Sequence, residues 1–184
     1  MNHIDLFQEF YSTLPAVRAW IEKTIEDNKE YAVPVEKLDF AGLRKVFPHE
    51  LLMRANVVLT RGRLPFPPFS RIGLSGFEEM ENMPKDGIAY KDTFFVDHRN
   101  QSESLHFHEL VHVVQWERLG VENFLIAYGA GLIQFGYADS PLEKMAYSLQ
   151  DGFNRNALPV NVIELIEQKT DEIWGGVISF LSGV

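Results

Sequence analysis

The sequence predicts a helix-dominated α+β fold in a single domain, with a small β-sheet just before one central helix. Three observations predict it. Much of the chain carries apolar residues at the three- and four-residue spacing of helices. Two short runs, ANVVLT at 55–60 and GIAYKDTFFVD at 87–97, hold the aromatic and β-branched residues of strands. With 184 residues, 46% apolar and 23% charged, the chain suits one filled core and is short for two.

Each element has its own signal. Asp5 to Tyr11 reads as a short helix, and Thr13 with Pro15 opens a second. On that second helix Val17, Trp20, Ile21 and Ile25 share a face, with Glu22, Lys23 and Glu26 outside. Val35 to Phe47 is expected to be helical, and Ala55 to Thr60 a strand. Arg61 to Gly73 carries three of the nine prolines, so it is irregular. It is also hydrophobic, which predicts an ordered loop against the core. Gly87 to Asp97 makes one or two short strands. A helix follows from Glu103 to Leu119, with Gly120 as its stop. A mostly apolar helix spans Val121 to Phe135, where Gly129 and Gly131 admit a close neighbour. Asp139 or Ser140 caps the next helix, from Pro141, and Pro159 opens the last, amphipathic one. The single domain 1–184 thus divides into three parts. They are a helical part with a Pro-rich loop (1–86), a core with the candidate site (87–155), and a C-terminal helix (156–184).

Composition excludes several functions. The formal net charge of −9 argues against nucleic acid as a partner, because phosphate binding needs clustered Lys and Arg. The absence of cysteine removes disulfides, thiolate metal sites and a Cys nucleophile. The longest apolar-leaning stretch, Phe124 to Ala138, is shorter than the ~20 residues of a membrane span. With no apolar signal segment at the N-terminus, a cytoplasmic location is expected.

The chemistry concentrates in HFHELVHVVQW, residues 106–116. On a helix His108 and His112 lie one turn apart on one face, so both imidazoles can reach one zinc ion. Glu109, one residue further round, is placed to take a proton from a zinc-bound water. Leu110, Val111, Val113 and Val114 are apolar, so the helix is a buried one. Burying Glu109 without a partner would be costly, and a metal explains its presence. The similar HELLM at His49 to Met53 fails the same tests, having Met53 where the second histidine is needed and Pro48 before it. His49 therefore reads as a helix-start or surface residue. His106 points to another side and reads as a surface histidine, while His98 lies on a nearby loop and His3 near the terminus.

Catalytic zinc usually has three protein ligands. No histidine follows His112, so the third must be a carboxylate from Glu117, Glu122, Asp139, Glu143 or Asp151. Glu117 and Glu122 lie too close to the end of the same helix. Glu143, on the first turn of a new helix with Ala146 leaving room, is the best placed, and Asp139 is its rival. A competing reading makes Glu143 the partner of Ser140 in a capping box, with no metal involved.

HELVHVVQW followed by SPLEKMAY resembles the gluzincin division of the zincin metallopeptidases and small HELxHxxQ domains of zincin type. The resemblance covers residues 87 to 155. It implies a zincin-type fold, one zinc ion, a water nucleophile and hydrolysis of a peptide or protein substrate. It also implies that His108, His112 and Glu143 are ligands, that Glu109 is the base, and that the strand Thr93 to Asp97 pairs with an extended substrate. Tyr147 stands where some gluzincins carry an Asp that supports a ligand histidine. It is a candidate to do the same or to polarise the substrate carbonyl, against the plainer reading of a core tyrosine. The alternative function is a zinc-retaining fold that acts as a binding or regulatory module without catalysis.

Overall fold

In a computed structural model that describes residues 3–74 and 77–182, the protein is a helix-dominated α+β fold with one four-stranded sheet. The first helix, α1 (His3–Asn28), is continuous, where the sequence suggests two helices. Pro15 lies inside it on the exposed face. The carbonyl a residue at that position would normally engage belongs to Tyr11, also exposed, while Ser12 and Thr13 hydroxyls donate to the carbonyls of Glu9 and Phe10. Phe7, Phe10, Leu14, Val17 and Ile21 form one buried stripe across the proline. Burial of that stripe, at about 1.5–3 kcal/mol per large side chain, is of the same order as the ~3 kcal/mol an interior proline costs, and one proline does not outweigh five such residues.

The predicted helix over Val35–Phe47 is broken. A 3₁₀ turn (Val35–Leu38) ends at Asp39, which adopts the left-handed conformation (φ 59°), before α2 (Ala41–Val46). α3 (His49–Arg54) follows, with His49 exposed at its start. The sheet order is β1 (Val33–Pro34), β2 (Asn56–Thr60), β4 (Thr93–Asp97), β3 (Gly87–Tyr90). β2 and β4 run parallel with Val58 opposite Phe95, and the outer pairs are antiparallel. The Pro-rich segment packs inward through Leu64, Phe69 and Leu74, as its hydrophobicity suggests. It leads into α4 (Glu78–Asn82).

β4 is buried along its whole length and paired on both sides, so it has no edge for a substrate strand. This corrects the expectation from sequence. The edge beside the central helix belongs to β3. In the antiparallel β3–β4 ladder, Asp97 N–H donates to Asp86 O at 3.0 Å, so Gly87 and Ala89 turn their peptide groups away from β4.

The central helix, α5 (Glu103–Phe135), packs against α1, α6, α7, β3 and β4. Gly120 interrupts it with φ 72° and ψ 171°, at the point where the sequence places a stop. That conformation is essentially reserved for glycine. The break lets the Trp116 and Phe124 rings stack at 3.8 Å, and Tyr128 follows Phe124 at 5.7 Å. Gly129 and Gly131 do admit close neighbours, since a Cβ on Gly129 would overlap the Phe10 ring and one on Gly131 would press on Ser140 Oγ. α6 (Pro141–Asn154) and α7 (Val162–Ser182) close the fold, the latter starting three residues after Pro159. No helix among the described residues is long and apolar enough to cross a membrane.

Gly120→Ala should cost about 1–3 kcal/mol through backbone strain alone, because a Cβ there meets no neighbour within 4 Å. Gly175→Ala, inside α7 and equally open, should be neutral or stabilising by about 0.5–1 kcal/mol. Urea unfolding of both variants checks the contrast. Equal effects would show that the break at Gly120 carries no constraint.

Candidate metal centre

The centre is built where α5 crosses α6. α5 is buried on every side from His106 to Trp116, so His108, Glu109 and His112 are all within the core. Ser102 caps the helix, its hydroxyl accepting from Leu105 N–H at 3.2 Å. α6 brings Glu143, also buried, onto the same point. His108 Nε2 and His112 Nε2 lie 3.1 Å apart, and Glu143 Oε2 is 3.5 and 3.4 Å from them. Ligands about 2.0–2.2 Å from a tetrahedral zinc ion are separated by about 3.3–3.5 Å. The three atoms thus already stand at nearly the edge length of a zinc tetrahedron. They form the one group of three or more potential metal ligands among the described residues.

Hydrogen bonding shows what these atoms offer. His108 Nδ1 lies 3.2 Å from Gln150 Oε1, and His112 Nδ1 lies 2.8 Å from Gln115 Oε1. Each amide oxygen can only accept, so each imidazole carries hydrogen on Nδ1 and presents Nε2 inward. Glu143 Oε1 accepts from the Tyr128 hydroxyl at 2.7 Å, while Oε2 is buried without a hydrogen-bond partner among the described residues. Two imidazole lone pairs and a carboxylate oxygen therefore converge with no donor between them. The chemistry of this set fits a divalent zinc ion.

Without a metal, protons take up the imbalance. Burial alone would lower the His112 imidazole, but the Glu143 carboxylate, helped by Glu109 and Gln115, outweighs it and holds His112 up at about 9. Burial would raise Glu143, yet the contacts with His112 and His108 keep it well below the usual carboxylate range. Glu109 differs. Burial pushes it up to about 7, with the two histidines opposing and Glu143 adding to the rise. Glu109 is 3% exposed and its Oε2 has no hydrogen-bond partner among the described residues. On its other side Gly87 leaves room for Oε1, since a Cβ there would overlap it.

A cavity of about 80 Å³ adjoins these groups. His108, Glu109, His112 and Glu143 line it, together with Tyr137 and an apolar wall drawn from α1, the Pro-rich segment, β3 and the second half of α5. Lys85 lines it too, over the Phe66 ring at 4.0 Å, and burial lowers its ammonium to about 8.

The other sequence candidates lie elsewhere. Asp139 is exposed and pairs with Lys144 at 3.2 Å, Glu117 forms a bidentate pair with Arg54, and Glu122 and Asp151 are exposed. Ser140 does not cap α6 through its side chain, and its hydroxyl is buried without a partner among the described residues, so no capping box holds Glu143. Tyr147 is not a core residue. It is 43% exposed, with its ring 4.6 Å from that of His108, and it interacts with Tyr137. His106 is a correction in the opposite sense. It is 0% exposed, between Phe40 and Phe94, and donates from Nδ1 to Ser102 O at 2.9 Å. No local pattern indicates that α2 and its flanks cover the back of α5. His98 sits by Thr60 O, 3.2 Å away, outside the site.

Sequence reading missed Gln150, Tyr128, Tyr137 and Gly87. Gln150 had a signal, because positions 143, 147 and 150 share one face of a helix. Tyr128 had none, since it reaches Glu143 only across the break at Gly120. The chain matches no protein-family model, no curated protein and no solved structure.

Because His112 holds a proton up to about pH 9 in the metal-free protein, zinc uptake at pH 7 should release about one proton from it. Apparent affinity should rise about tenfold per pH unit and level off near pH 9. Calorimetry in buffers of different ionisation enthalpy measures the release, and uptake without it would mean that zinc binds elsewhere. In chelator competition, Glu143→Ala should weaken zinc by several orders of magnitude and Asp139→Ala should leave it unchanged. The reverse result would move the third ligand to Asp139.

Proposed function

We propose that the protein is a zinc-dependent hydrolase of zincin type acting on peptide bonds, with His108, His112 and Glu143 as ligands and Glu109 as general base. One observation carries this reading. Glu109 is a buried carboxyl group with an oxygen that no described residue satisfies, on the wall of the cavity shared with the three ligand atoms. A structural metal requires only its ligands. Burying a fourth acid beside them with one oxygen unsatisfied is costly, and a role in handling a proton accounts for its presence.

Zinc, when bound, supplies Lewis acidity that activates water and polarises a carbonyl. The chain's own groups supply the rest. Glu109 lines the cavity with its Oε1 against Gly87, and its carboxylate is the group there that can accept a proton from water and return it to a leaving amine. Tyr137 lines the cavity and Tyr147 interacts with it. The phenol pair, rather than Tyr147 alone, is the candidate donor to a substrate carbonyl. The apolar wall excludes water from the reacting groups. β3 favours a peptide as substrate: its outer edge borders the cavity, with Gly87 beside Glu109. Trp116 Nε1–H already occupies the carbonyl of Ala89 at 3.1 Å, which leaves Gly87 as the pairing position nearest the base.

Glu109→Gln should bind zinc as wild type and lose on the order of 10²–10⁴ of the hydrolytic rate against a mixed peptide library. Retained hydrolysis would remove Glu109 from the role of base. If zinc-loaded wild type cleaves nothing in the library, the non-catalytic zinc-binding module replaces the hydrolase. Gly87→Ala should also leave zinc affinity unchanged and lower turnover, because the new methyl displaces the Glu109 carboxylate. Turnover equal to wild type would show that the position of that carboxylate is not critical.

A further inference from the structure

We infer that Gln115 and Gln150 are a reciprocal pair of positioning residues: each fixes the tautomer of one metal-facing histidine and ties α5 to α6. The inference rests on the metal-centre reading and adds to it the device that prepares the ligands. Gln115 lies on α5. Its Oε1 accepts from His112 Nδ1–H at 2.8 Å, and its Nε2 donates to Leu142 O on α6 at 3.1 Å. Gln150 lies on α6. Its Oε1 faces His108 Nδ1 at 3.2 Å, and its Nε2 donates to Ser104 O and Oγ on α5 at 3.2 and 3.0 Å. Each amide spans the helix interface, in opposite directions.

The far end of each amide decides its orientation. A backbone carbonyl accepts and never donates, so Leu142 O can face only the NH₂ of Gln115 and Ser104 O only that of Gln150. The opposite end of each amide must then be oxygen, and an oxygen beside Nδ1 requires hydrogen on Nδ1. Nε2 of both histidines is left as an acceptor toward Glu143. Gln115 also anchors the carbonyl of Leu142, the residue before Glu143. The same side chain that orients His112 thus sets where the third ligand stands.

Both partners are amides, where a carboxylate would serve equally well as acceptor. Neutral partners leave the ligand set with only the charge of Glu143, so less of the charge of a bound cation is neutralised. The surroundings explain why position 115 is the stricter one. A carboxylate at either position would set oxygen against a backbone carbonyl, Leu142 O or Ser104 O, but at 150 the Ser104 hydroxyl, 3.0 Å from the Gln150 amide, can turn to donate and offset it.

The test uses full-length protein, with zinc as the probe ligand. Gln115→Met and Gln150→Met should each weaken zinc about 10- to 100-fold in chelator competition, the range for lost partners of metal-bound histidines. Gln150→Glu should restore binding to within a few-fold of wild type, and Gln115→Glu should not. Zinc affinity unchanged in both Met variants, or equal rescue at the two positions, would overturn the inference. Nitrogen-15 NMR of the metal-free protein, at a pH where both imidazoles are neutral, reads the tautomers directly. Wild type should hold hydrogen on Nδ1 of both imidazoles, and Gln150→Met should release His108 into a mixture. Mixed tautomers in wild type would sink the inference even if zinc binds. Fixed tautomers in a protein that takes up no zinc would sink the metal reading and leave the positioning role standing.

Discussion

Two imidazole lone pairs and one carboxylate oxygen meet within 3.5 Å inside the core, and that repulsion is the constraint around which the structure is arranged. Acceptors do not gather in a low-dielectric interior unless a cation joins them. In the metal-free protein a proton on His112 meets the need. A divalent ion meets it more fully, since it engages all three atoms together. The rest of the fold holds these atoms in place against one another.

It does so with a helix that is broken once. The first half of α5 presents the two histidines, and the second half must return past them for Tyr128 to reach Glu143. A straight helix of 33 residues would carry Tyr128 well away from His112, at 1.5 Å per residue. Gly120 supplies the bend, and the stack of Trp116, Phe124 and Tyr128 makes it rigid. Trp116 also donates to Ala89 on β3, so the same aromatic run connects the strand edge to the acid on α6. The proposed substrate edge, the proposed base and the proposed third ligand therefore share one support.

The two buried acids at the centre have opposite surroundings. Glu143 has a phenol donor on one oxygen and two imidazoles at the other, and it is held ionised. Glu109 has a glycine on one side and a cavity on the other, and burial raises it. Carboxylates that share one site and have divergent proton affinities are the usual arrangement where one acid holds charge and the other moves a proton. That contrast supports the roles proposed for them.

Local pattern alone determined much of this protein. The i, i+4 histidines, the acid between them, the two strand runs, the Gly120 stop and the helix start at Pro141 all follow from neighbours a few residues apart, and all appear where the sequence places them. Tertiary structure decided what depends on pairs far apart in the chain. Which acid joins the histidines was open among five carboxylates, because ordering them requires knowing how α6 crosses α5. His106 looked exposed because its cover comes from Phe40, some 60 residues earlier, and from Phe94 on β4. The free edge near the site lies on β3 and not on β4 because β2, from a distant segment, takes the other side of β4. The break expected at Pro15 vanished because one continuous apolar stripe outweighs one missing hydrogen bond. Periodicity reports which face a residue occupies, and only packing decides what covers that face.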